Sequence, residues 1–312
     1  MTEHTINPRP SQRAALLAQT LRADLAAAEL LRALADAEVD AILLRGPVVA
    51  RALYPGAERS YADSDVLVGD DQREVVEATL DGLGYRRLRP SPFEQHWRRS
   101  VDQAEIDLHR KLWGCNGPPG RLWHALKSHR VPFQLQGATI SAPDEPALAL
   151  VLALHASQHG TLFSRPLGDL ERAVERFDSS CWHRAAALAL EVGALLAFRQ
   201  GLSMVPAGVT LLHTLSLEPA MSVQAVLRKR GVEVPFYLYE GLSGRERLAF
   251  LRLLLASAGD DDGISPGRGN GSLRAVRNLV LSAGARLRWY AKLVPAWRSA
   301  RGEAASVRRS RS

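Results

Sequence analysis

The sequence predicts an α/β (α+β) protein in which a small mixed-sheet domain is followed by a mostly helical domain. Three observations carry that prediction. Up to about residue 142, segments with apolar residues at helical spacing alternate with short, β-branched, strand-like runs. From 143 to 258 the chain is Leu/Ala-rich, as in packed helices, and from 259 to 312 it is a Gly/Asp-rich stretch followed by a basic tail.

Taken in order, the first pattern starts at Pro10, where Leu16, Leu17, Leu21, Leu25, Leu31 and Leu34 recur near a 3.6-residue period to about Ala37. This is expected to be a packing helix. The apolar run Ala41-Ile42-Leu43-Leu44 then reads as a strand, and Arg45-Gly46-Pro47 as a turn into a helix through about Leu53, since Gly permits a tight turn and Pro suits a first helical turn. After Tyr54-Pro55-Gly56, the segment Asp63 to Val68 has the alternation of a strand. A helix from about Asp71 to Gly82 and two strands, Phe93 to Val101 and Ala104 to Leu112, complete the expected sheet domain. A small hairpin is expected around Gly137, and beyond Pro143 four to six helices to about Ala258, with breaks near Pro206, Gly231 to Pro235 and Gly241 to Gly244.

The bulk chemistry narrows the class of protein. Among 312 residues, 46% are hydrophobic and 23% charged, the balance of a globular chain. The two cysteines, Cys115 and Cys181, lie far apart and outside any Cys/His cluster, so neither a disulfide framework nor a structural zinc is indicated. The residues before Pro10 lack the apolar core of a signal peptide, and no stretch reaches the ~18–20 apolar residues of a membrane span. A cytoplasmic protein is expected. The formal charge of +7 is unevenly placed, with ten Lys/Arg against the single acid Glu303 from Gly271 onward.

Asp63 and Asp65 are the first candidates for chemistry. Two apart on a strand, their side chains share a face about 6.6–6.8 Å apart along the chain. Like charges on one face resist desolvation unless a cation compensates them. Magnesium, or manganese in its place, prefers such hard oxygen ligands, together with substrate phosphates. Asp107, between Glu105 and His109 on another expected strand, can join the pair from a neighbouring strand. Three such carboxylates suit two metal ions and an in-line displacement at phosphorus, with Asp107 the natural acceptor of the attacking hydroxyl's proton.

The blocks Leu44-Arg45-Gly46, Leu53-Tyr54-Pro55, Arg59, Asp63-x-Asp65 before Val66-Leu67-Val68, Gly84-Tyr85 and Ile106-Asp107-Leu108-His109 resemble those of the uncharacterised bacterial nucleotidyltransferases of the polymerase-β-like superfamily. The resemblance covers about Leu43 to Leu112 and extends more loosely to His155-x-x-x-His159 and Gly168-Asp169-Leu170. It implies that Asp63, Asp65 and Asp107 bind magnesium, with the first two also at the nucleotide phosphates, and that Arg45-Gly46 begins the segment near the triphosphate. The superfamily usually has Gly-Ser where this chain has Gly46-Pro47, which removes a hydroxyl and a backbone N–H from any phosphate cradle. Arg45 stands where Lys is more usual.

Other residues carry two readings. Arg59 clamps phosphate or pairs with Asp63, Asp65 or Glu58; Arg45, at a strand end beside a helix start, favours an anion. His109 orients Asp107 or touches substrate, or is a half-buried histidine with a hydrogen bond. His155 and His159, one helical turn apart, lack the Glu and third ligand of a zinc site, so packing or closing a cleft, with Asp169 as partner, is expected. In the tail, Arg274, Arg277, Arg286, Arg288, Lys292 and Arg298 interleave with Leu287, Trp289, Tyr290 and Trp297. A packed helix is favoured there over a nucleic-acid patch or an interfacial membrane helix.

The expected function is transfer of a nucleoside monophosphate from an NTP to an unidentified hydroxyl or phosphate acceptor. The alternative is a non-catalytic nucleotide- or nucleic-acid-binding protein that keeps the fold, and Gly46-Pro47 is the feature that favours it.

Overall fold

The computed structural model describes residues 10–220, apart from 57–58, 91–93, 119 and 161–162. The linker and basic tail, the breaks beyond residue 220 and the end of the helical segment lie outside the described residues.

A five-stranded mixed sheet positions the site. Its strands are β1 (Ala41–Leu43), β2 (Asp63–Val68), β3 (Tyr85–Pro90), β4 (Glu94–Arg99) and β5 (Glu105–His109), in the spatial order β1-β2-β5-β4-β3. The central pair, β2 and β5, runs parallel, and every other pair is antiparallel. Strand β2 is buried on both faces from Ser64 to Val68, as expected for a run of β-branched and aliphatic residues in mid-sheet. β3 was not expected from the sequence: its residues, YRRLRP, are too basic to read as a strand. It survives because it is an edge strand, where charged side chains reach water and discourage pairing with another chain.

Helix α1 (Pro10–Asp36) and helix α3 (Arg73–Gly82), the latter preceded by a 3-10 turn at Asp70–Gln72, cover one face of the sheet. The expectation that the leucines of α1 pack is correct only towards its C-terminal end. Leu31 and Leu34 are buried, whereas Leu17, Leu21 and Leu25 are about half exposed and Leu16 nearly so. Ala23, Ala26, Ala27 and Ala28 take the contact instead, because alanine lets a helix backbone lie close to the strands, and Ser64 Oγ donates to the Ala23 carbonyl at 3.1 Å.

Helix α2 (Pro47–Leu53) follows β1 through Gly46, whose φ of +64° is one that a side chain rarely tolerates. Helix α4 (Arg121–Ser128), also not expected, leads into the hairpin of β6 (Arg130–Leu135) and β7 (Ala138–Pro143). Gln136 and Gly137 both have positive φ, the geometry of a two-residue hairpin turn that matches strand twist. Asp144 then caps helix α5 (Glu145–His159) by accepting from the Ala147 amide at 2.9 Å. Helices α6 (Ser164–Arg176), α7 (Ser179–Glu191), α8 (Leu195–Leu202) and α9 (Pro206–Thr214) follow; Pro206 opens α9. The apolar α5 packs against α6, α7 and α8, and one continuous cluster of buried residues runs from Ala26 to Leu215. No helix among the described residues is long and apolar enough to cross a membrane.

Candidate active site

The strand register brings the carboxylates together. In the parallel pair β2/β5, Asp65 stands opposite Asp107 and Asp63 opposite Glu105. Side chains alternate along a strand, so Asp63, Asp65 and Asp107 share one face, away from α1. In the antiparallel pair β4/β5, His96 stands opposite Asp107. All four residues line a cleft of about 630 Å³, closed on its far side by α5 and the start of α6.

Each carboxylate has a different environment. Asp65 is buried, which opposes its ionisation, yet the Arg45 guanidinium and the His109 ring outweigh burial and hold it far below the usual range. Arg45 pairs with its Oδ1, to which His109 Nε2 donates at 2.9 Å. Asp107 Oδ1 lies 2.5 Å from His96 Nδ1, and burial, partly offset by His96, raises its pKa. Asp63 has no hydrogen-bond partner beyond its own backbone among the described residues, and burial followed by the charges of Asp65 and Asp107 pushes it up to about 6.

The donor set suits a divalent cation: hard oxygens on one face, with Asp63 held at a raised pKa by burial and then by its neighbours' charge. As the side chains are placed, Arg45, His96 and His109 engage two of the three carboxylates. Among the described residues no three His, Cys, Asp or Glu side chains are gathered as a ready-made metal cluster. A metal therefore requires these ion pairs to loosen, while the donor chemistry itself fits.

The ion pair expected of Arg59 with Asp63 or Asp65 is not formed, and Glu58 lies outside the described residues. Instead, Arg59 Nε and Nη2 donate to the two carboxylate oxygens of Asp169 on α6, at 2.9 and 2.7 Å. Tyr54 Oη donates to the same carboxylate at 2.7 Å, and the Arg172 guanidinium lies 4.4 Å from the Tyr54 ring centre. Asp169, expected to partner the histidines, is thus fully buried and committed to Arg59 and Tyr54. Arg59 still borders the cleft, with Nη1 donating to the Gly46 carbonyl at 3.4 Å. A Cβ on Gly46 would meet the Tyr61 ring and the Asp63 carbonyl at ordinary contact distances, so the positive φ, and not crowding, is what favours glycine here.

His155 and His159 stack edge-to-face with ring centres 4.5 Å apart, and His159 meets Phe163 likewise at 5.3 Å. His155 Nδ1 is buried without a hydrogen-bond partner, and burial, with Arg45 and His159 adding to it, holds the ring well below the ordinary histidine pKa. His96 was missed in the sequence. Its signal is slight, a histidine inside an expected strand, because contact with Asp107 depends on a register between strands that only the fold supplies.

The family model described as "Uncharacterised nucleotidyltransferase" matches residues 10–207, and the chain belongs to that family. Membership places it among enzymes of nucleotidyl transfer, on a mixed α/β nucleotidyltransferase fold. No curated protein matches the chain. Solved structures similar to it include the antibiotic-resistance factor ANT(2'')-Ia in solution, at 13% identity and TM-score 0.39, covering 60% of this chain and 96% of that one. The lincosamide antibiotic adenylyltransferase LnuA, lincomycin-bound, is similar at 14% identity and TM-score 0.33, covering 46% and 91%. A nucleotidyltransferase-like protein from Paracoccidioides brasiliensis is similar at 12% identity and TM-score 0.34, covering 58% and 92%.

Proposed function

We propose that the chain transfers a nucleoside monophosphate from an NTP to a hydroxyl or phosphate oxygen of an acceptor, using magnesium or manganese held by Asp63, Asp65 and Asp107. The observation that carries this reading is the parallel register that sets Asp65 beside Asp107, with Asp63 on the same face of a cleft bordered by Arg45 and Arg59. A divalent cation bound there neutralises phosphate charge and lowers the barrier to in-line displacement.

The chain's own residues do the rest. The acceptor oxygen attacks the α-phosphorus as the bond to the bridging oxygen of the leaving pyrophosphate breaks. Asp107, whose pKa is raised by burial, takes the acceptor's proton, and His96 against its Oδ1 fixes the carboxylate's orientation. Arg45 compensates Asp65 in the structure and, with Asp65 holding a cation instead, would be placed to pair with the triphosphate. Arg59, held by Asp169, is oriented by a buried pair and presents its remaining nitrogen at Gly46, beside the expected path of the phosphates. The helical wall selects the acceptor.

Incubating the purified chain with each α-labelled NTP, magnesium or manganese and a cell extract tests the reading. A labelled product that vanishes in Asp65→Asn supports it. Nucleotide binding without any transfer, unchanged in Asp65→Asn, favours a nucleotide-binding protein on the same fold, the reading to which Gly46-Pro47 lends weight.

A further inference from the structure

The two walls of the cleft carry different charge. Every acid among its described lining residues, Asp63, Asp65 and Asp107, stands on the sheet wall. The helical wall contributes His155, Gln158 and His159 from α5, then Phe163, Ser164 and Arg165 at the start of α6, and no acid. Asp169, on the same helix, is spent on Arg59 and Tyr54 and is fully buried.

Two side chains on that wall are left over. Arg165 is exposed and makes no hydrogen bond or ion pair among the described residues. Phe163 is 56% exposed, with its ring edge-to-face with His159. Both side chains line the same cleft, two residues apart in sequence. Together they match a ligand with an apolar or planar body and an anionic group, since the guanidinium fork fits carboxylate or phosphate and the ring offers a face for stacking. A polycation would find no acid on this wall to receive it.

Resting on the nucleotidyltransferase reading, we propose that the acceptor is an anionic molecule, its phosphate or carboxylate held by Arg165 and its body laid against Phe163. The nucleotide's triphosphate, by contrast, belongs at the carboxylate wall.

The test uses the full chain and phenyl phosphate as the probe, a ring joined to a phosphate monoester. Binding is measured by calorimetry with magnesium and a saturating α,β-methylene NTP analogue, so that the nucleotide position is filled. Phenyl phosphate is expected to bind alongside the analogue at millimolar concentrations. Arg165→Glu should weaken it about tenfold or more, the size of one lost charge-assisted contact, and Arg165→Lys by less. Phe163→Ala should weaken it as well, while affinity for the analogue stays unchanged in all three variants. The proposal is overturned if phenyl phosphate fails to bind beside the analogue, if spermidine binds there in its place, or if Arg165→Glu weakens the analogue as much as the probe. Failure of the analogue itself to bind wild-type chain is a separate result, and it counts against the nucleotidyltransferase reading.

Discussion

Two buried charge clusters border the same cleft, and they are built on opposite terms. In the Arg59–Asp169 pair one cation meets one anion in a two-pronged contact, and Tyr54 supplies a further donor. Around Asp65 three carboxylates crowd one face of the sheet, and Asp63 has no donor beyond its own backbone and no cation in contact among the described residues. A cluster that closes its own charge serves to join α6 to the loop before β2. One left with excess negative charge is poised for something that arrives from outside. The difference separates structure from chemistry within a few residues of sequence.

The largest effect should come from opening the closed cluster. Asp169→Ala leaves Arg59 buried without its partner and is expected to cost about 3–5 kcal/mol in urea-induced unfolding. The double variant Arg59→Met with Asp169→Leu should recover most of that loss. If Asp169→Ala unfolds like wild type, the pair does not hold the helical wall in place.

Next in size is the open cluster's effect on activity. Asp65→Asn or Asp107→Asn should reduce turnover of labelled NTP by about a hundredfold or more, the order seen when one preorganised charge is removed from a transition state; Asp65→Asn should also lower the melting temperature, because it takes a buried partner from Arg45 and His109. Wild-type turnover in both variants would remove these carboxylates from the chemistry.

A smaller and opposite effect is expected for Asp63 on stability. Its folded pKa, about 6, lies above the value of a free aspartate, so the native state binds the proton more tightly than the unfolded chain does. Its contribution therefore favours folding below about pH 4 and is lost as pH rises through 6, a difference of roughly 3 kcal/mol. Asp63→Asn should flatten that dependence and leave the metal-free protein at least as stable at pH 7. Parallel pH profiles for variant and wild type, measured by thermal unfolding, would contradict the excess charge assigned to this face.

The smallest change probes the closed cluster again. Tyr54→Phe removes one of three donors to Asp169 and should cost about 1 kcal/mol, because Arg59 continues to satisfy the carboxylate. A loss as large as that of Asp169→Ala would mean that the tyrosine, rather than the arginine, carries the cluster.

Much of the site was legible in the residues. Asp63 and Asp65 had to share a face because strand side chains alternate, and the β-branched run after them marked the strand. Arg45-Gly46-Pro47 marked a turn into a helix through the conformational limits of Gly and Pro. Less legible were β3, whose basic residues hide an edge strand, and the packing of α1, where small alanines rather than leucines meet the sheet. Arg59 and Asp169 were each singled out, yet their union was not read, since 110 residues separate them.

The sequence by itself determined which residue types stand at which local spacing: the acids two apart, the turn at Gly46, the helical segments after Pro143. Those follow from covalent geometry and short-range periodicity, which act within a few residues. Only the tertiary structure decided that Asp107 lies beside Asp65, that His96 reaches Asp107, that Asp169 takes Arg59, and that Arg165 stands on the cleft wall. Strand order, register and helix docking make those choices, and they are set by the burial of one shared core, whose energy depends on contacts between segments far apart in the chain.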